Sequence, residues 1–200
     1  MFSGLLAELV HNLKKLPGIG SKSAQRLAMY LISLEKAKAL ELAESIQNTV
    51  KNYKNCSICN MLTENDPCHF CSDYTRNQNL LCIVENTQDI YLIEDTNEFK
   101  GRYFVLNNLL SPLDGIGPNE INFPKLLELL KSDGIDEIIL ALNPSAEGES
   151  TISFLASKFE ELKVKVTRLS TGLPFGGDIE YTSSLTLGNA FKRRYSVKDN

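Results

Sequence analysis

The sequence predicts a multidomain chain of α plus α/β class: a helical head, a small four-cysteine knuckle, and an α/β domain with a mostly parallel sheet. Three observations carry that reading. Apolar residues recur at helical spacing through the first third of the chain. Residues 56–75 turn abruptly short and polar and hold four of the five cysteines. From Leu80 onward, short apolar runs alternate with helical patterns, as in a sheet buried on both faces.

In the head, Leu6, Leu9, Val10 and Leu13 form one stripe of an amphipathic helix. The segment LPGIG then breaks the pattern with one proline and two glycines. A second helix is expected from Ser21, read as its N-cap, with Ala24, Leu27, Ala28 and Leu31 as its buried stripe. A third runs from about Glu35 to Lys54, uninterrupted by proline or glycine.

The turn between the first two helices has a mechanical use. Gly18 and Gly20 let the backbone turn tightly and approach a ligand closely. The helix that follows begins with unpaired N–H groups at the positive end of its dipole, a ready anion site. At about 100° per residue, Lys22 and Arg26 project opposite the apolar stripe, over the same anions. An ordinary helical corner would need only the turn. The added outward basic pair makes this a helix–hairpin–helix candidate for gripping DNA through its phosphates, with little sequence preference and strong salt dependence.

A net charge of −4 does not oppose this, because the charge is unevenly spread. Residues 1–55 hold Lys14, Lys15, Lys22, Arg26, Lys36, Lys38, Lys51 and Lys54 against Glu8, Glu35, Glu41 and Glu44. The head therefore carries +4 and the remainder −8. Screening removes a charge's influence beyond about 8–10 Å, so the local excess is what a ligand meets.

Cys56-Ser-Ile-Cys59 and Cys68-His-Phe-Cys71 form CxxC-x8-CxxC, and four thiolates satisfy tetrahedral Zn²⁺. A site closed by four thiolates leaves no position for water or substrate, so one structural zinc per protomer is expected. The metal would stand in for a core that so polar a segment cannot build. His69, inside a CxxC, is read as a spectator, and Cys82, inside LLCIVE, as a buried strand residue.

In the α/β domain, LLCIVE, RYFVL, EIILAL and KVKVTRL read as strands. NTQDIYLIED, FPKLLELLKSDG and GESTISFLASKFEEL read as the helices between them, and the tail as a loop, a short helix and a basic end. Glu85 closes the first strand, and Glu147 and Glu149 follow the third, at the strand ends where α/β sheets carry their sites. The plain alternative is solvated loop carboxylates and an acidic pair favoured by a helix dipole. No apolar run reaches the roughly 18 residues of a membrane span, and the N-terminus lacks a signal-peptide pattern, so a cytoplasmic protein is expected. In a reducing compartment, five cysteines argue for metal or free thiols before disulfides.

LPGIGSKSAQRLA, the paired CxxC, CIVENTQDIYLIE, LLSPLDGIGP, NPSAEGEST and TGLPFGGDIEYTSSLTL succeed one another as in the bacterial RecR family of recombination-repair proteins, which the whole chain resembles. The resemblance implies a helix–hairpin–helix head over residues 1–55, a four-cysteine zinc finger over 56–71, a Toprim domain over 79–174 and a Walker-B-like C-terminal segment over 175–200. It implies dimers or ring-like tetramers, and partnership with the RecO and RecF proteins at single-stranded gaps, where recombinase is loaded. It also implies a nucleoid-associated place in the cytoplasm during repair, and it assigns Glu85, Glu147 and Glu149 to partner contacts.

Catalytic Toprim relatives carry a DxDxEGE-like segment that holds Mg²⁺. Here it reads Asn143-Pro-Ser-Ala-Glu147-Gly-Glu149, so both aspartates are replaced, by Asn143 and Ser145. Neither replacement supplies the charge that a hard cation needs. The family's Ala-His-Gly is Ser170-Thr171-Gly172 in this chain, and no GxxxxGK[ST] phosphate loop occurs. No catalytic residue is therefore assigned. The leading reading is a DNA-binding, non-enzymatic mediator; the rivals are a metal-dependent Toprim nuclease or phosphotransferase, kept alive by the three glutamates, and a scaffold whose partners alone touch DNA.

Overall fold

The computed structural model describes residues 2–132 and 134–196. Met1, Asp133 at the end of the expected helix 123–134, and residues 197–200 of the C-terminal segment lie outside the described residues. The chain forms two compact units, Met1–Tyr53 and Lys54–Asn200.

The first unit is helical: α1 (Gly4–Leu13), α2 (Ser21–Ser33) and α3 (Lys36–Asn52). Leu6, Leu9, Val10 and Leu13 of α1 are all half-buried, as their spacing requires. On α2 only Ala24 and Ala28 are fully buried, while Leu31 is half-buried and Leu27 exposed. Two alanines one turn apart are small enough to be wholly enclosed, whereas the larger Leu27 is 39% exposed. The N-cap of α2 is Gly20, not Ser21, because extended backbone ends at Gly20 and Ser21 already lies inside the helix. Helix α3 stops at Asn52, and Lys54 belongs to a strand. None of the residues of α3 is buried.

The second unit opens with an antiparallel pair, β1 (Lys54–Asn55) and β2 (Leu62–Thr63), and a single helical turn, α4 (His69–Ser72). It continues as β3 (Asn77–Val84), α5 (Thr87–Asp95), β4 (Gly101–Val105), α6 (Phe123–Ser132), β5 (Glu137–Ala141), α7 (Ala146–Phe159), β6 (Lys165–Arg168) and α8 (Ser184–Lys192). The four long strands pair in parallel in the order β4-β3-β5-β6. Each expected strand and crossover helix is present, because buried apolar strands joined by helices can close only as a parallel sheet.

Alternation along the strands sorts side chains into two cores. Leu81, Ile83, Phe104, Ile138 and Leu140 point to the face covered by Leu126 and Leu129 of α6 and by Ile152, Leu155 and Phe159 of α7. Cys82, Val84, Tyr103 and Val105 point the other way, to Ile90 of α5 and to Cys56, Cys59, Met61, Cys68 and Phe70. The cysteine knuckle is thus half of the cover on one face of the sheet. The Cys82 thiol lies in this core, where burial pushes its pKa up to about 12, so it remains neutral.

Arg76 ties these layers together. Its Nε donates to the Gly101 carbonyl at 2.6 Å and its Nη1 to Glu94 of α5 at 3.1 Å, while the Tyr103 hydroxyl also donates to Glu94. The guanidinium carbon lies 5.1 Å from the Phe70 ring centre and 5.5 Å from that of Tyr103. Burial alone would raise the Glu94 pKa, but the bonds from Arg76 and Tyr103 outweigh it and hold the carboxyl below its ordinary value. A depressed carboxylate contributes stability above its unfolded pKa, about 4.3, and loses it as pH falls through the folded value. Glu94→Gln is therefore expected to cost about 3 kcal/mol at pH 7, since it strands a buried cation. In urea unfolding, its gap from wild type should narrow below about pH 4.3.

Candidate functional site

The four expected ligands converge. Cys56 and Cys59 flank the first tight turn of the knuckle, and Cys68 and Cys71 flank the start of α4. Their four sulfurs all lie within 4.8 Å of one another, with Cys56 Sγ and Cys71 Sγ 3.9 Å apart and Cys59 Sγ and Cys68 Sγ 3.4 Å apart. Zn–S bonds of about 2.3 Å in tetrahedral geometry place sulfurs about 3.8 Å apart, so the cluster fits one zinc ion. The neighbouring Cys68 and Cys71 sulfurs, together with burial, push the Cys59 thiol far above its ordinary range. Crowded sulfurs cannot all carry negative charge unaided, and a divalent cation removes that penalty. His69 takes no part in the cluster; its ring lies 4.0 Å from that of Phe70.

The knuckle is joined to the sheet by its backbone. Val105 N–H, on the open side of edge strand β4, donates to the Cys59 carbonyl at 2.9 Å, and Asn60 Nδ2 returns a bond to the Val105 carbonyl at 2.9 Å. Lys125 Nζ donates to the Cys56 carbonyl at 2.7 Å, and the Leu62 N–H donates to Thr87 Oγ1 at 2.9 Å. The turn that carries the first two ligands therefore caps the free edge of β4. Spacing rules reveal the ligands but not this seam, whose donors lie up to 69 residues away in sequence.

In the head, Gly18 has φ +75°, which a glycine supplies without strain. Gly20 has ordinary extended backbone (φ −79°), so its use is as an open N-cap and not as a turn residue. No side chain caps the first turn of α2, which leaves its amides open to an anion. Lys22 and Arg26 are both exposed, one turn apart, and share a shallow crevice with Phe2, Ile19 and Tyr30.

Glu85 follows directly on β3, and Glu147 and Glu149 lie in the first turn of α7. Ser145, at one of the replaced aspartate positions, is the N-cap of α7 and accepts from Gly148 N–H at 3.0 Å. A Cβ at Gly148 would sit 1.9 Å from the Asn143 carbonyl oxygen, so the glycine between the two glutamates is fixed by packing. Asn143 Nδ2 donates to Glu85 Oε2 at 3.3 Å. Arg168, at the end of β6, holds Glu149 through two bonds of 2.6 and 2.9 Å, and those bonds keep the Glu149 pKa below its ordinary value. The three glutamates do not gather as the cysteines do. Among the described residues, only the four cysteines bring three or more metal-binding atoms within 4.8 Å of one another.

Arg168 went unnoticed in the sequence, although its place at the end of a parallel strand was a signal for it. It helps line a crevice of about 480 Å³ with Asn143, Thr171, Leu185 and Asn189. Asp178, in the glycine-bearing loop, stands at the N-cap position of a short turn ahead of α8 without a side-chain capping bond, and is exposed.

Residues 6–50 match the family model for the RecR helix-hairpin-helix, residues 53–73 that for the RecR four-cysteine zinc finger domain, and residues 79–170 that for the Toprim domain. Proteins named Recombination protein RecR from Staphylococcus aureus strains JH9, Mu50 and MRSA252 are each 42% identical to this chain over 189 residues, 94% of it and 96% of them. The chain belongs to the RecR family. Membership places it among proteins named for recombination, and the four-cysteine finger of RecR matches the cluster of Cys56, Cys59, Cys68 and Cys71 as a site for one structural zinc. None of the helices among the described residues is long and apolar enough to cross a membrane.

Zinc removal is expected to reach beyond the knuckle of this RecR-family chain. Cys59→Ser should take the metal content from one zinc per chain to none by elemental analysis. Its thermal midpoint should fall by on the order of 10 °C or more, because the binding energy of a structural zinc is folding energy. A folded, zinc-free wild type purified without chelator would contradict this.

Proposed function

We propose that the chain is a non-enzymatic, DNA-binding mediator of recombinational repair, which works with RecO and RecF partners at single-stranded gaps to help load recombinase. One observation carries the DNA-binding part. Exposed Lys22 and Arg26 project beside the uncapped amides of α2, at a turn whose Gly18 needs positive φ. Two exposed cations and a helix N-terminus are what a phosphate backbone requires. Gly18, Gly20, Lys22 and Arg26 are assigned to that contact.

The remaining assignments follow the family. The head takes residues 1–55, the zinc finger 56–71, the Toprim domain 79–174 and the C-terminal segment 175–200. Glu85, Glu147 and Glu149 contribute an acidic surface to partners and not to catalysis, in keeping with the loss of both aspartates at Asn143 and Ser145. Exposed Leu40, Ile46 and Val50 along α3 support assembly with further copies of the chain as a dimer or a ring-like tetramer. Assembly would let weak heads act together on one DNA. The setting is the cytoplasm, at the nucleoid during repair.

The test is the salt dependence of binding by the protein alone. Lys22→Ala/Arg26→Ala should weaken binding to all sequences alike. The slope of log K against log salt should flatten by about 0.9 per lost phosphate contact on duplex, and by about 0.7 on single strands. An unchanged slope in a folded double variant would show that the hairpin faces something else.

A further inference from the structure

Toprim relatives that act on phosphates hold Mg²⁺ among acidic strand ends, and the residues at these strand ends do not fit that ion. Mg²⁺ demands a near-octahedral set of hard oxygens at about 2.0–2.1 Å. Here a hydrogen-bond donor, Asn143 Nδ2, points at Glu85 Oε2 from 3.3 Å. Both oxygens of Glu149 are taken by the two terminal nitrogens of Arg168. The three glutamates, moreover, do not converge among the described residues.

Arg168 is no ordinary surface partner. Its backbone is fixed in the sheet, paired in register with Leu140 of β5, and its side chain is only 23% exposed. Its Nε is buried with no hydrogen-bond partner among the described residues, so the guanidinium keeps its place even with one donor unsatisfied. A guanidinium fork matches a carboxylate in a bidentate pair and carries a permanent charge. Unlike a metal, it has no coordination position to offer water or phosphate.

We propose that Arg168 takes the electrostatic place of the divalent ion, neutralising Glu149 from within the fold and so keeping Mg²⁺ away from the acidic strand ends. The strand ends then keep their carboxylates and none of the means to build a metal-bound nucleophile. This deepens the non-enzymatic reading and rests on it. It is independent of the DNA-binding head, whose failure in the salt test would leave it untouched.

The experiment titrates the zinc-loaded full chain with Mn²⁺, a paramagnetic substitute for Mg²⁺, and follows the resonance of the free ion. Wild type and Arg168→Lys should show no uptake at millimolar Mn²⁺. Arg168→Gln, checked for folding by circular dichroism, should take up Mn²⁺ within the millimolar range where wild type takes up none. Adding Glu149→Gln to that variant should abolish the gain. Binding by Arg168→Gln no tighter than wild type would overturn the proposal. If Arg168→Gln does not fold, wild type and Glu149→Gln decide the matter. Wild-type uptake that disappears in Glu149→Gln overturns the proposal, and absence of uptake in both supports it.

Discussion

The joint between the cysteine knuckle and edge strand β4 is the constraint on which the second unit depends. Parallel sheets are stable when both faces are covered and their edges are closed. On one face α6 and α7 supply the cover, but on the other α5 leaves room that Met61, Phe70 and the buried cysteines fill. The same turn that presents Cys59 gives its carbonyl to the outward N–H of Val105. Four thiolates on one zinc hold that turn in shape, because the segment has too little apolar surface to hold itself. Arg76 and Glu94 reinforce the seam from the other side of Tyr103.

This arrangement divides the labour within the chain. The zinc site and the Arg76–Glu94 pair of the second unit serve architecture, and among the described residues its acidic strand ends do not converge as the cysteines do. The head concentrates positive charge on a short hairpin with open helix amides, in a chain whose net charge is −4.

Much of this was legible in the sequence, because the signals were local. Periodicity placed the strands and helices to within a few residues, and CxxC spacing picked out the four ligands. The misses were of two kinds. At the start of α2, Ser21 has the chemistry of a cap, yet the chain turns one residue earlier, and Gly20 takes the role with no side chain. Leu27 shares the apolar stripe but stays exposed where Ala24 and Ala28 are wholly buried. The second kind is long-range. No spacing rule links Arg168 to Glu149, Lys125 to Cys56 or Asn60 to Val105, since each pair meets only once the sheet has formed. In sequence, Asn143 and Ser145 stand where catalytic relatives carry aspartates. Folded, one is a donor to Glu85 and the other a helix cap, so each has a structural reason to be what it is.

The central claim is that the zinc knuckle is part of the sheet and not an appendage. Amide hydrogen exchange at Val105 and along β3 and β4, in the full chain before and after zinc is stripped by a chelator, tests it most directly. The account predicts that protection in these strands collapses together with that of residues 54–73. Strands that stay protected while only the knuckle exchanges would contradict it.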